Sequence, residues 1–490
     1  MKKWVAYLKY LFPILFLCLQ IPFLEADPDF DLTGSRGPWA DEGQYTVQAR
    51  DYVQQGDWAM ASSDATLKTP LFSLLQYVGF SVFGVSMLNA RLMVLLFVAL
   101  ALFLAFYLGD YFAKVTILAI PLVFSNYFIF QYAHFSLAEM PAICCLWLSL
   151  GCFLKSEEES VDSTKSFVLG IVVMLLAVLF KLQFAYMLLL VPLYFLLSVR
   201  SRVLQGALAS AFRRLGFYVG IVVAFSILLY FLWLKPQLHV LNNMLASQVD
   251  GRFISYGRLN FKGVIMELIH TIQVSCFEHN SKLYSLCFIA SLILGFGLFF
   301  AKTTRPSYRM LFLLVLSWLL LEGHKLFILH VPSRYLLSLY FPMGLMLALI
   351  SYEVAASGWL MKWRLVTMLP IAVLVGLNTI TLLQSTQRRT YAIQSINGYI
   401  KAANIGDDVV LGQWAPTLTW QIKSMTYPYI EGIEPKIKAN KHCRLLVTEE
   451  GEEKMLHAML QGLSTNPAID STVYRTIGHW KLQLTWLKPQ

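Results

Sequence analysis

The sequence predicts an all-α polytopic membrane protein of about eleven transmembrane helices, followed by a small extracytoplasmic α/β domain. Three observations predict it. The 490 residues are 57% hydrophobic and 14% charged, against about 25% charged in a typical soluble domain. The apolar residues are gathered into runs of roughly the 20 residues that a bilayer-spanning helix needs. After about residue 385 the composition becomes that of a soluble domain. These features exclude a soluble enzyme and a nucleic-acid-binding role, since the basic residues lie in short connections between apolar runs.

The chain opens with "MKKWVAYLKYLFPILFLCLQIPFLEAD", a basic start and an apolar core. It lacks a convincing small-residue cleavage site, so a signal-anchor is expected rather than a cleaved signal peptide. Eleven spans are expected near 5–24, 86–108, 114–132, 137–154, 167–183, 184–199, 215–234, 285–301, 310–330, 335–352 and 366–384. "PLFSLLQYVGFSVFG" at 70–84 is too short to span and suits an interfacial helix. One set of connections carries Lys2, Lys3, Lys155, Lys165, Arg200, Arg202, Arg213, Arg214, Lys302, Arg305, Arg309, Lys362 and Arg364. The 25–70 loop instead carries nine acids against three bases. The positive-inside rule then places the N-terminus in the cytoplasm and that acidic loop outside.

Residues 1–384 are thus expected to form the transmembrane domain, with outer loops at 25–70 and 235–284, and 385–490 the outer α/β domain. In the latter, "GDDVVLGQW", "HCRLLVTEE" and "HWKLQLTWL" read as strands and "EEKMLHAMLQGL" as an amphipathic helix. The seven cysteines show no CxxC or Cys/His metal spacing, and a Cys276–Cys287 bridge has no support.

Ionisable groups in or near spans are costly and usually face a cavity or a partner. Asp41 and Glu42 follow the first span. A helix from about Glu42 to Gln55 would align Tyr45, Ala49 and Tyr52 and leave Asp41 as its N-cap. Lys68 precedes Pro70, either as a surface lysine or as a phosphate ligand. Arg91 lies a turn inside the second span, facing outward or into a cavity. Glu139 opens the fourth span, with His134 nearby as an interfacial residue. Lys181 and Gln183 interrupt "VLFKLQFAYMLLL", and Arg334 and Tyr335 stand in "HVPSRYLLSLYFPMG". Arginine is suited to bidentate phosphate binding. The set puts acids and cations from separate helices on one face of the membrane.

The stretches "DEGQYTVQARDYVQQGDW", "LKTPLFSLLQYVGFSVFGVSMLNARL", "AEMPAICC" and "PSRYLLSLYFP" resemble, in that order, motifs of the GT-C membrane glycosyltransferases. The relevant branch contains the dolichyl-phosphate-mannose protein mannosyltransferases and the bacterial aminoarabinose transferases. The match is tightest over residues 38–95 and mainly topological from there to about 350. The resemblance implies transfer of a sugar from a polyprenyl-phosphate donor to an acceptor hydroxyl on the periplasmic or luminal side, with inversion. It implies Asp41 as general base and Glu139 as second catalytic acid, with Glu42, Lys68, Arg91, Lys181, Arg334 and Tyr335 binding substrate. Membrane lipid and a glycan, lipid or protein acceptor are the implied partners, and a bacterial inner membrane the implied location. No cofactor is expected. Leu67 stands where some relatives carry a metal-binding Glu, which argues against a divalent metal, and Lys-Thr-Pro-Leu replaces Lys-Pro-Pro-Leu. Competing readings are a transporter or flippase for a lipid-linked precursor, which would be expected to show repeat symmetry, and a non-catalytic assembly scaffold.

Overall fold

The computed structural model describes residues 2–33, 35–56, 58, 65–158, 163–204, 208–238, 242, 261–273, 282–301, 304–327, 333–356, 364–406, 408–428, 442–463 and 467–488. Most of the 235–284 loop, and Cys276 with it, lies outside them.

The helices in the first half are α1 (Lys2–Gln20), α2 (Gly37–Gln55), α3 (Ala65–Lys68), α4 (Pro70–Phe83), α5 (Met87–Ala105), α6 (Asp110–Phe124), α7 (Tyr127–Tyr132), α8 (Glu139–Glu158) and α9 (Ser163–Phe180). Then come α10 (Leu190–Leu204), α11 (Leu208–Leu229), α12 (Phe261–Gln273), α13 (Lys282–Phe300), α14 (Pro306–Glu322), α15 (Leu337–Ala356) and α16 (Arg364–Gln387). Among the described residues nine helical stretches are long and apolar enough to cross a membrane. The expected first span has a shorter apolar stretch, Tyr7–Phe23. The expected third span is broken in two: α6 ends at Phe124 and α7 restarts at Tyr127. Asn126 makes the break, its side-chain oxygen accepting the backbone N–H groups of Phe128 and Ile129, an N-cap that interrupts the preceding helix.

The bundle is layered. The apolar windows of α8 and of Ser333–Ala356 are 94% and 89% buried, whereas that of Met368–Ala402 is 11% buried. The first two are therefore the axis of the core, and α16 belongs to the rim that offers apolar side chains outward. Cys144, Cys145 and Cys152 are free and buried in α8, where they act as small hydrophobes.

The remaining elements are α17 (Ala392–Ala402), β1 (Val409–Gly412), α18 (Ala415–Leu418), β2 (Thr426–Tyr427), β3 (Cys443–Glu449), α19 (Glu453–Gly462), β4 (Ile469–Ile477) and β5 (Trp480–Leu487). One mixed sheet runs β2-β1-β3-β5-β4, with β1 parallel to β2 and β3 and the other pairs antiparallel. β2 and β4 were not expected from the sequence. β2 is two residues long, and β4 is exposed over most of its length, so neither shows the apolar alternation that marks a half-buried strand.

The acids after the first helix tie this domain to the bundle. Asp27 accepts the backbone N–H groups of Ala392 and Ile393 at 2.7 and 3.0 Å, capping α17. Asp29 and Asp31 pair with Arg388. His134 is buried, paired through Nδ1 with Gln20 Oε1 at 2.8 Å and packed on Phe23 and Phe135. Burial, helped by the Arg91 guanidinium, holds its imidazole well below the ordinary 6.5. An unfolded His134 takes up a proton below that pH and the folded one does not, so its contribution to stability is full above pH 6.5 and is lost as pH falls. The slope is about 1.36 kcal/mol per pH unit. In detergent, the melting temperature of the wild type should therefore fall towards that of His134→Gln between pH 7.5 and 5. A gap that does not change with pH would exclude His134 as the titrating group.

Candidate active site

α2 begins at Gly37, with Pro38 in its first turn, so Asp41 is not an N-cap as expected. It is the fifth residue of the helix, just past the first turn. Pro38 starts the helix early because its fixed φ suits this position and its missing N–H costs nothing there. The face holding Tyr45, Ala49 and Tyr52 is turned towards the bundle. It packs on α4, where Tyr45 meets Phe72 and Tyr52 meets Tyr77 edge-on, and Ala49 is fully buried.

The carboxylate of Asp41 forms an ion pair with Arg334 Nη1. Arg334 and Tyr335 stand in a short 3-10 turn, Ser333–Leu336, that leads into α15. Arg334 Nε lies 3.6 Å from Glu139 Oε1, at the first residue of α8. The same oxygen of Glu139 pairs with Lys181, which follows α9. Lys181 Nζ also lies 4.7 Å from the centre of the Tyr335 ring, and Arg334 Nη2 donates to Tyr335 Oη at 3.4 Å. Four separate elements thus bring Asp41, Glu139, Lys181, Arg334 and Tyr335 together at one end of the bundle. A Cβ on Gly37 would fall 3.0 Å from Asp41 Oδ2 and 3.7 Å from Arg334 Nη1, so glycine there leaves the ion pair room at the helix edge.

Glu139, Lys181, Arg334 and Tyr335 line a small, partly open cavity, together with Tyr186 and Lys325 among others. Lys325, and Glu322 beneath it, went unread in the sequence although "LLLEGHKLFILH" interrupts an apolar run with an ionisable pair three residues apart. The rule that flagged Lys181 would have flagged them too. Their network is closed. Glu322 accepts from Tyr186 Oη at 2.7 Å and Trp318 Nε1 at 3.3 Å on one oxygen, and pairs with Lys325 at 2.7 Å and Ser338 Oγ at 2.9 Å on the other. Lys325 Nζ also donates to the Tyr335 carbonyl at 2.8 Å and to Ser338 Oγ at 2.5 Å. All three of its N–H groups have partners, as do both oxygens of Glu322. This network braces the turn that carries Arg334. Glu139 differs, because its Oε2 is buried and has no hydrogen-bond partner among the described residues.

The three acids Asp41, Glu139 and Glu322 balance the three bases Lys181, Arg334 and Lys325. An anion entering the cavity would therefore compete with carboxylates for a cation. Arg334 and Lys181 can exchange, since each holds a carboxylate on the cavity wall, whereas Lys325 is fixed by its three partners.

Two expected site residues lie elsewhere in the network. Glu42 and Arg91 are fully buried and paired with each other, Nε to Oε1 at 2.9 Å and Nη2 to Oε2 at 2.5 Å. Arg91 Nη1 also donates to the carbonyls of Phe23, Leu24 and Ala26, and Glu42 Oε1 accepts the Ser136 N–H at 2.6 Å. Arg91 thus neither faces outward nor opens into the cavity. It fastens α2 to α5 and to the stretch after α1. Lys68 ends α3 beside α2 and is not among the cavity-lining residues. Among the described residues no group of three His, Cys, Asp or Glu side chains could hold a metal ion.

No family model matches the chain, and no curated protein matches it in sequence. Solved structures do match. ArnT from Cupriavidus metallidurans bound to undecaprenyl phosphate superposes with a TM-score of 0.60 at 14% identity, covering 96% of this chain and 97% of that one. The same protein in the apo state gives 0.54 at 14% identity with the same coverage. The Archaeoglobus fulgidus oligosaccharyltransferase, tethered to an acceptor peptide, gives 0.53 at 12% identity over 97% of this chain and 73% of that one. At such identities the likeness speaks of architecture: the chain is an integral membrane protein with the GT-C fold.

Proposed function

We propose that the protein is a membrane glycosyltransferase that moves a sugar from a polyprenyl-phosphate donor to an acceptor hydroxyl, with inversion at the anomeric carbon. The observation that carries this reading is the cluster in which Arg334, Glu139 and Lys181 line a cavity and Asp41 is paired with that Arg334. It combines a carboxylate able to accept a proton with two cations able to meet a leaving phosphate. The fold likeness to a protein bound to undecaprenyl phosphate supports the donor class.

In this proposal the donor phosphate draws Arg334 away from Asp41. Two charge-assisted bonds from a guanidinium to phosphate replace one to a carboxylate. Asp41, freed, accepts the proton of the acceptor hydroxyl while that oxygen attacks the anomeric carbon and the bond from carbon to phosphate oxygen breaks. The phosphate leaves with the bonding electron pair, its charge met by Arg334 and Lys181, with Tyr335 donating to it. Glu139 Oε2 is available to orient the acceptor. Glu42 and Arg91 hold α2 in place, and Lys68 is assigned to the donor phosphate on the resemblance alone. No cofactor enters the scheme. The lysine and arginine bias of the connections supports a site facing the periplasm or lumen, and a bacterial inner membrane is assigned on the resemblance alone.

Mass spectrometry of envelope glycans, lipids and proteins in cells with and without the gene tests the reading. The expected result is the loss of one sugar mass from an envelope component, which names both sugar and acceptor. Accumulation of an intact lipid-linked precursor on the cytoplasmic side would favour a transporter instead. An unchanged envelope would leave the scaffold reading ahead.

A further inference from the structure

The reading of Asp41 as the base raises a geometric requirement. A carboxylate on a helix points where the helix is rotated, and α2 is held on both sides of Asp41. Successive residues of an α-helix are about 100° apart. Glu42 lies about 100° to one side of Asp41 and is locked to Arg91 and Ser136 in the bundle. Ala40 lies about 100° to the other side, with Gly43 and Gln44 on that same flank. This flank is held by the C-terminal domain.

The contact there is unusually close. A Cβ on Gly43 would fall 2.4 Å from the Thr417 backbone nitrogen and 2.5 Å from the Pro416 carbonyl carbon. Only glycine allows that approach, because the groups it would meet are backbone and cannot swing aside. Thr417 Oγ1 donates to the carbonyl of Ala40, the residue before Asp41, at 3.0 Å. Gln44 Nε2 donates to the Gln413 carbonyl at 3.2 Å, and Arg50 Nη1 to the Pro416 carbonyl at 3.0 Å. Thr417, Ala415 and Trp414 are buried, so the bond from Thr417 to Ala40 is shielded from solvent, where an unpaired polar group is costly.

We propose that Thr417 and Gly43 are positioning residues: the C-terminal domain acts as a rotational stop that aims Asp41 at the reacting hydroxyl. The domain is thereby a working part of the transfer site, although none of its residues lines the described cavity. This role rests on the reading of Asp41 as general base. It separates placing the base from binding the donor. The cations sit on the 3-10 turn before α15 and after α9, and neither element depends on the seam.

The test uses the full-length protein and the variants Thr417→Val, Thr417→Ser, Gly43→Ala and Asp41→Asn at matched membrane levels. The rate of sugar incorporation in cells is one readout. The other is retention of undecaprenyl phosphate by the purified proteins in native mass spectrometry. Thr417→Val keeps the side-chain shape and loses the hydroxyl. It should lower the rate on the order of tenfold, the scale set by sub-ångström misplacement of a reacting group, with undecaprenyl phosphate retention unchanged. Thr417→Ser should restore the rate. Gly43→Ala should lower it further where the protein reaches the membrane, and the threonine pair decides the matter where it does not. A wild-type rate in Thr417→Val, or a parallel loss of lipid retention, overturns the proposal. If Asp41→Asn itself transfers at the wild-type rate, the base assignment is wrong and the stop has nothing to aim. That outcome is distinct from a dead Asp41→Asn beside a fully active Thr417→Val.

Discussion

Asp41→Asn should reduce sugar transfer by about 10²–10⁴-fold, the contribution of a positioned general base, while the protein still inserts and folds. The amide is nearly isosteric but cannot accept the proton of the acceptor hydroxyl. The substitution also removes a charge from the pair with Arg334, so Arg334 is more available to an entering phosphate. Undecaprenyl phosphate should then bind at least as tightly as to the wild type, although turnover is lost. Measuring both separates the roles: loss of binding together with loss of transfer would mean that Asp41 holds the site together and is not its base. Full transfer would remove it from the chemistry altogether.

Arg91→Leu should destabilise the protein by about 3–5 kcal/mol, the cost of leaving one member of a buried ion pair without its partner. Glu42 would stay buried between α2 and the bundle with only the Ser136 N–H, and three carbonyls after α1 would lose their donor. The double variant Glu42→Gln with Arg91→Leu should recover part of the loss, because no buried charge is then unpaired. Thermal unfolding in detergent, with membrane abundance as the cellular readout, checks this. A single variant that is stable yet inactive would instead place Arg91 in substrate binding.

The two expectations show how differently the sequence treats acids that stand side by side. Asp41 and Glu42 are adjacent in "ADEGQY", and nothing local says which one pairs with the cavity-lining Arg334. The answer depends on helix rotation. At 100° per residue one carboxylate meets Arg334 and the other meets Arg91, and the rotation is fixed by contacts with residues hundreds of positions away, among them Thr417. The start of α2 was legible in principle, since "RGPW" carries a proline suited to a first turn. The local reading began the helix at Glu42 and so made Asp41 a cap.

Glu322 and Lys325 were equally legible as charges in an apolar run, but they were absorbed into an expected span. By contrast, Lys181 and Arg334 were singled out as polar interruptions, and the structure gathers both with Asp41 and Glu139. Lys68 carried a motif-based expectation, and it ends α3 outside the residues that line the cavity. In the C-terminal domain, β1, β3 and β5 announced themselves as short apolar runs, because consecutive residues of each are buried. The exposed hairpin strand β4 carried no such pattern.

By itself the sequence determined that this chain lives in a membrane, roughly where its helices run, that a soluble α/β unit follows them, and which ionisable residues are too costly to be idle. These are local properties, set by the transfer free energy of each segment and by hydrogen bonding within it. The tertiary structure alone decided which charges pair with which, that Arg91 serves Glu42 while Arg334 serves Asp41, and that the C-terminal domain touches the helix bearing Asp41. Those outcomes depend on packing between segments far apart in the chain, where a rotation of one residue exchanges a buried structural carboxylate for one paired with a cavity-lining arginine.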